Sequence, residues 1–264
     1  MYLFPHISLT SGRIIHSRDD FVAYLDDSFS SLSPDDDFNH SNLKSYLIES
    51  NISIPPNIRD LTEWEPIGHR WYMCNNSKGD FIIADCSDVR VWILYTLMPV
   101  DEMDQIIKIW VGNNTGLDRC WLSRINFQAL EKIFNLQERG VGLKFKNSIS
   151  GEEDPFGFSL KARYGSGGNE RIEQLFSELK DEFTTTSVRW RKLSGGTTCL
   201  RLECFNYGKI TINYLENVED TLSYISQISN LYRRALSDGE DARKSSRSAF
   251  EFNYTQKVNL EEYS

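Results

Sequence analysis

In the second half of the chain, apolar and polar residues alternate with a period of two in five runs: "VGLKFKN", "FGFSLKARY", "SVRWRKL", "TCLRLECF" and "GKITINY". Successive strand residues point to opposite sides, so this pattern predicts strands with one buried face. Between the second and third runs, "NERIEQLFSELKDEF" places Ile172, Phe176, Leu179 and Phe183 at helical spacing. After the fifth, "NVEDTLSYISQISNLYRRAL" gathers Val218, Leu222, Ile225, Leu231, Tyr232 and Leu236 on one side, behind an Asn217/Asp220 pair that resembles a capping box. The order ββαβββα predicts a largely antiparallel five-stranded sheet with helices on one face.

The first half is less regular. "RDDFVAYLDDSFSSL" aligns Phe21, Leu25, Phe29 and Leu32 on one helical face. "SNLKSYLIES" reads as a second, short helix capped by Ser41 or Asn42, and "ISIPPNIRDLTEWEP" as an extended connector. "HRWYMC", the turn "NNSKGD" and "FIIADC" predict a hairpin, with "VRVWILYTL" a buried strand of the same sheet. "DEMDQIIKIWVG" and "NFQALEKIFNLQERG" are amphipathic helices, the second closed by glycine in "QERGVG". The predicted fold class is α+β with two packed subdomains.

Charge sharpens the division. Residues 1–140 carry 20 acids and 12 bases, residues 141–236 carry 12 and 13, and residues 237–264 carry 6 and 4. An acidic subdomain (1–140) is therefore expected to precede a near-neutral one (141–236), followed by a polar, partly disordered tail (237–264). Within that tail, "AFEFNYTQKVNL" suits a small strand on a sheet edge.

Splitting the strand residues of the second half by parity exposes a strong asymmetry. One side is apolar, from Val141, Leu143, Val188 and Trp190 to Leu200, Leu202, Ile210 and Ile212. The other holds eight bases, Lys144, Lys146, Lys161, Arg163, Arg189, Arg191, Arg201 and Lys209, with Glu203 as its one acid and Phe205 among them. A solvated sheet face explains part of this, because the stems of Lys and Arg cover apolar surface. In a chain of net charge −9, a basic face also suits docking of an acidic protein, or of nucleic-acid phosphates with Phe205, Trp190 or Tyr207 available for stacking.

Candidate chemistry is sparse. The loop in "RYGSGGNER" lacks the lysine of a nucleotide-binding loop, and Glu170 and Glu173 occupy the helix start where a phosphate would sit. "SGGTT" reads as a hairpin loop. His69, Cys74, Cys86 and Cys120 lack metal-ligand spacing, and Cys199 and Cys204, five apart on one strand, are expected on opposite faces. No activated nucleophile stands out. Asp80, Asp85 and Asp88 cluster around the hairpin, where turn acids are the simpler explanation and metal ligands the alternative. "GLDRCWLS" reads as a structural corner in which Asp118 and Arg119 stand beside Trp121.

Five cysteines without close spacing suggest reduced thiols, the start of the chain lacks the pattern of a signal peptide, and no apolar run reaches membrane-span length. The expectation is a cytoplasmic, non-enzymatic binding or adaptor protein without catalytic residues, cofactor, metal or membrane. Its partner, an acidic protein first and nucleic acid second, would meet Lys144, Lys146, Lys161, Arg163, Arg189, Arg191, Arg201, Phe205 and Lys209. The alternatives are a metal-dependent enzyme on nucleic acid or nucleotide using Asp80, Asp85 and Asp88, and a subunit of an obligate complex with Trp64, Trp71 and Trp110 at the interface.

Overall fold

A computed structural model of the chain describes residues 15–30, 42–144, 159–163 and 183–249. The predicted first helix forms as α1 (Arg18–Phe29), because Ser17 accepts a hydrogen bond from the Asp20 N–H and Asp19 and Asp20 complement the first turn. Phe21, Val22, Leu25 and Phe29 are its buried stripe.

The segment expected to be a second helix is instead strand β1 (Leu43–Ser50), and it is the central strand of the protein. Nearly every residue in it is buried, on both faces. A strand covered on both sides loses the polar alternation that identifies strands, so tertiary pairing overrides the local pattern. Leu43 and Leu47 join one core cluster, whereas Tyr46 and Ile48 join another on the opposite side.

The predicted hairpin forms as β3 (Trp71–Asn75) and β4 (Phe81–Asp85), preceded by the short β2 (Glu65–Gly68) and followed by β5 (Val91–Thr96). Helix α2 (Val100–Asn113), strand β6 (Leu117–Arg119) and helix α3 (Arg124–Phe134) complete the first half. Helix α3 ends earlier than expected, at Asn135 in the left-handed conformation, φ 52°. Asparagine tolerates that conformation and acts as the stop, so "QERGVG" is not a helix end but part of β7 (Gln137–Lys144).

The remaining strands are β8 (Ser159–Arg163), β9 (Thr184–Ser194), β10 (Thr197–Phe205) and β11 (Lys209–Leu215). The β9–β10 loop is the two-residue turn Gly195–Gly196, with φ of 57° and 87°, a backbone that suits glycine and matches the twist of a hairpin. Helix α4 (Val218–Ala249) closes the described structure. The polar run after Ser237, expected to begin a disordered tail, continues this helix, and Arg90 anchors it through a 2.6 Å ion pair with Glu240. The predicted "NERIEQLFSELKDEF" helix, the glycine loop after Arg163 and the "AFEFNYTQKVNL" segment lie outside the described residues.

The fold is α+β, built on one open antiparallel sheet in the order β2-β3-β4-β5-β1-β11-β10-β9-β7-β8, with β6 also paired to β1. The sheet passes without a break from the first half to the second, because β1 pairs with β5 on one side and with β11 on the other. One face packs against α1, α3 and α4 over most of its length: Phe21, Phe127 and Leu222 share a core with Trp71, Leu47, Trp190 and Ile212, while Val141 and Leu143 at the β7–β8 end form a separate small cluster. The other is covered by α2 over β1 and β3–β5, where Met103, Ile107 and Trp110 meet Tyr46, Ile82 and Leu94. Over β7–β11 none of the described helices lies on this second face, which is termed the open face below. None of the described helices is long and apolar enough to cross a membrane.

Candidate binding face

Strand register decides which side chains become neighbours on the open face. One row across the sheet runs Arg163, Gly140, Arg189, Glu203, Thr211, Lys44. The next, one step along, runs Lys161, Gly142, Ser187, Phe205, and on the far side Gln137 faces Arg191, which faces Arg201. Seven of the predicted bases therefore share the open face or its rim: Lys144, Lys161, Arg163, Arg189, Arg191, Arg201 and Lys209. Lys146 lies outside the described residues.

These bases do different work. Glu203, buried at the centre with only 4% exposure, is caged by Lys161 Nζ at 2.7 Å and Arg189 Nη2 at 2.9 Å, and it accepts a hydrogen bond from Ser187 Oγ at 3.1 Å. Burial alone would push the Glu203 carboxyl up, but hydrogen bonds and charge from Lys161 and Arg189 outweigh it and hold the group below the ordinary glutamate value. Arg189 thus has a structural share in the face, because it neutralises a buried acid.

Lys209 is equally committed. It is 3% exposed and pairs with Asp104 Oδ2 of α2 at 2.7 Å, while Tyr46 Oη donates to Asp104 Oδ1 at 2.6 Å. Its Nζ also lies 4.5 Å from the Phe205 ring centre and 5.3 Å from that of Tyr207. Lys161 approaches Phe205 at 5.6 Å, and the Arg119 guanidinium approaches Tyr207 at 5.8 Å. These distances fall within cation–π range, so the two rings already serve the protein's own cations. Phe205 and Tyr207 are therefore not a bare platform for stacking bases, and Trp190, at 1% exposure, lies on the opposite, helix-covered side.

The outer bases lie nearer the surface. Lys144 and Arg163 are exposed and Arg191 is half-buried, its Nη2 donating to Gln137 Oε1 at 2.9 Å. The half-buried Arg201 lies over the Tyr214 ring at 5.9 Å. Lys44, which sequence reasoning placed on a helix, extends the middle row toward α2. Burial, with the nearby Lys209 charge adding to it, lowers its ammonium pKa to about 8, and its Nζ donates to the Asn42 and Leu97 carbonyls. Asp104 escaped notice because it flanks the buried α2 stripe of Met103, Ile107 and Trp110, where it resembles an ordinary surface acid.

Other candidates separate in space. Asp80 accepts a hydrogen bond from Asn76 in the β3–β4 turn, at one end of β4, whereas Asp85 and Asp88 stand at the other. Five strand residues span about 16 Å, so the three carboxylates do not share an ion. Asp88 instead accepts from the Arg90 and Val91 N–H groups and pairs with Arg233 at 3.0 Å. Cys74 and Cys86 lie in the core under α2, Cys120 in the opposite core, and His69 is exposed, so this set is not gathered either. A bulge between Thr198 and Leu200 turns β10, and Cys199 packs on the same core cluster as Cys204 rather than on the opposite face.

Of the three tryptophans proposed as an interface, Trp71 and Trp110 are buried and Trp64 is half-buried. Trp71 stacks on Tyr95 at 5.9 Å, and the Trp64 and Trp110 Nε1–H groups both donate to the Pro56 carbonyl. The exposed large apolar side chains among the described residues are elsewhere, at Ile54, Val89, Ile109, Trp121, Ile125 and Ile133. The "GLDRCWLS" corner is in part strand β6, paired with β1.

No curated protein matches the chain. A family model, that of the MJECL33-like protein, matches residues 18–259, from the start of α1 to beyond the end of α4. With nearly all of the described sheet and helices inside that match, the chain belongs to the MJECL33-like protein family.

Proposed function

We propose that the protein is a non-enzymatic binding or adaptor protein that engages an acidic surface of another protein through the open face of β7–β11. The single observation that supports this reading is the segregation of bases: Lys144, Lys161, Arg163, Arg189, Arg191 and Arg201 converge on one face that the described helices leave uncovered. A face of one sign attracts and orients a partner of the other, and it raises the rate of encounter as well as selectivity. The buried Glu203 pins the centre of the array, so the outer cations are displayed on a rigid sheet rather than on loops.

Nucleic acid is the second reading. The state of the aromatic rings favours protein over single-stranded nucleic acid, because Lys161, Lys209 and Arg119 already occupy positions near Phe205 and Tyr207. Base stacking supplies much of the affinity in single-strand recognition, and displacing those cations would offset it. The test is affinity capture from extract of the native host, with and without nuclease, at two salt concentrations. A partner retained after nuclease treatment and released by salt is the expected outcome. Loss of all captured material on nuclease treatment would favour nucleic acid instead.

A further inference from the structure

Helix α4 changes character along its length. Val218, Leu222, Ile225 and Tyr232 hold its first part in the core, whereas every residue from 237 to 244 is exposed. Arg90 ties this extension to the sheet at Glu240. A helix of a few turns that is polar all round is marginal in water on its own. Gly239 weakens it further, and a Cβ there would meet no atom within 4 Å, so packing inside the chain does not call for glycine.

The charges of the extension fall into two blocks. Asp238, Glu240 and Asp241 come first with no base among them, and Arg243, Lys244 and Arg247 follow with no acid. Within one helix, Lys244 Nζ lies 3.3 Å from Asp241 Oδ1 with both side chains well exposed, a pair that contributes little. A helix with one block of each sign is complementary to itself turned end for end. About a two-fold axis at Ala242, Asp241 of each copy stands against Lys244 of the other. Parallel pairing would set acid on acid and base on base, so the blocks select the antiparallel arrangement.

The Ala242 side of the helix leads back to uncovered apolar surface. Leu231, Ala235 and Ala242 follow at helical spacing, and the first two form one wall of a groove of about 220 Å³ between α3 and α4. Leu122, Ala129 and Leu130 form the other wall. Next to these in sequence and on α3, Trp121 and Ile125 are 59% and 75% exposed. Exposed apolar side chains gathered beside a groove mark an interaction site, whereas scattered ones do not. In the antiparallel arrangement position 249, the last of α4, falls opposite Ala235, at the mouth of this groove.

We propose that the protein forms a homodimer in which the α4 extensions of two copies pair antiparallel about Ala242. The end of each helix reaches the α3–α4 groove of the other copy. The paired charge blocks set direction and register, and the groove with Trp121 and Ile125 supplies apolar burial. Because α4 packs on the helix-covered side of the sheet, this surface is separate from the open face of β7–β11.

Sedimentation equilibrium of the full chain tests the pairing. The parent protein should form a dimer that weakens as salt rises. Asp241→Lys and Lys244→Glu each set like charges together twice per dimer, so each should raise the dissociation constant about tenfold. Mixing the two variants should restore association near the parent level, because each then meets the opposite charge. A helix that merely frays would not be rescued by mixing. Ala242→Cys should also give a disulfide-linked dimer under mild oxidation, and Ser237→Cys, on another side of the helix, should not. The parent protein supplies the background, its cysteines being buried or half-buried. A monomer at every concentration, association unchanged in either single variant, no recovery on mixing, or trapping at Ser237→Cys as ready as at Ala242→Cys would each overturn the proposal.

Discussion

Glu203→Ala lowers stability by about 3 kcal/mol, the lower end of the range for removing one partner of a buried ion pair. The lower end applies because the surviving cations are not equally trapped. The Lys161 side chain is half exposed and can turn to water, whereas that of Arg189 is only a quarter exposed and its Nε already lacks an acceptor. Glu203→Gln is milder, because the amide oxygen can keep the Oε1 position and still accept from Ser187 and Lys161, although its NH2 then faces Arg189. The same pair sets a pH signature. The folded-state carboxyl is held below its unfolded value, so its contribution is complete above about pH 4.3 and is lost as pH falls through the folded value. Urea denaturation of the parent and Glu203→Gln proteins at a series of pH values checks both statements. The gap between their midpoints should be full near neutrality and close in acid; a gap that does not change with pH would contradict the assignment.

The second large effect concerns binding. Reversing Arg189 would set a glutamate beside the buried Glu203 and unfold the face rather than test it. The informative variant is Lys144→Glu/Arg163→Glu/Arg191→Glu, which leaves the Glu203 cage and the Lys209–Asp104 pair intact. Three reversals move the formal net charge from −9 to −15, all of it at the rim of one face. If each like-charge contact with an acidic partner costs about 1 kcal/mol, affinity falls by roughly two orders of magnitude. The variant should remain folded, because Lys144 and Arg163 are exposed, where charge changes cost only about 0.5 kcal/mol each, and the half-buried Arg191 gives up one hydrogen bond to Gln137, about 1 kcal/mol. Titration at several salt concentrations separates the two consequences: weaker binding, and a shallower dependence of affinity on salt. Unchanged affinity in the folded variant would remove the rim from the interface.

The second half of the fold was legible because its five strands alternate cleanly and most of their apolar parity set, on β9–β11, is the face that packs on the helices. The strand register sets the seven described bases on the side that the same parity assigns them. Sequence reasoning failed where tertiary contacts erase the local pattern. "LKSYLIES" is buried on both sides, so nothing in it distinguishes the central strand from a short helix. The helix stop at Asn135 depended on a left-handed backbone that asparagine adopts only in context, and the glycine of "QERGVG" five residues later was the more obvious signal. In the face itself, the partners that qualify its charge come from elsewhere in the chain. Asp104 reaches Lys209 across 105 residues of sequence, and Lys44 joins the middle row only through the β1–β11 pairing. Spacing along one segment carries no trace of either contact.

Where a partner sits can be read by lysine acetylation footprinting of the protein alone and in its captured complex. Lys144 and Lys161 lie on or beside the open face, whereas Lys78, Lys108 and Lys132 are exposed elsewhere. Docking on the face of β7–β11 predicts strong protection of Lys144 and Lys161 in the complex, with Lys78, Lys108 and Lys132 labelled as in the free protein. Protection of Lys132 on α3, beside the exposed Ile133, with Lys144 and Lys161 still fully labelled, would place the partner on the helical side and contradict the proposal.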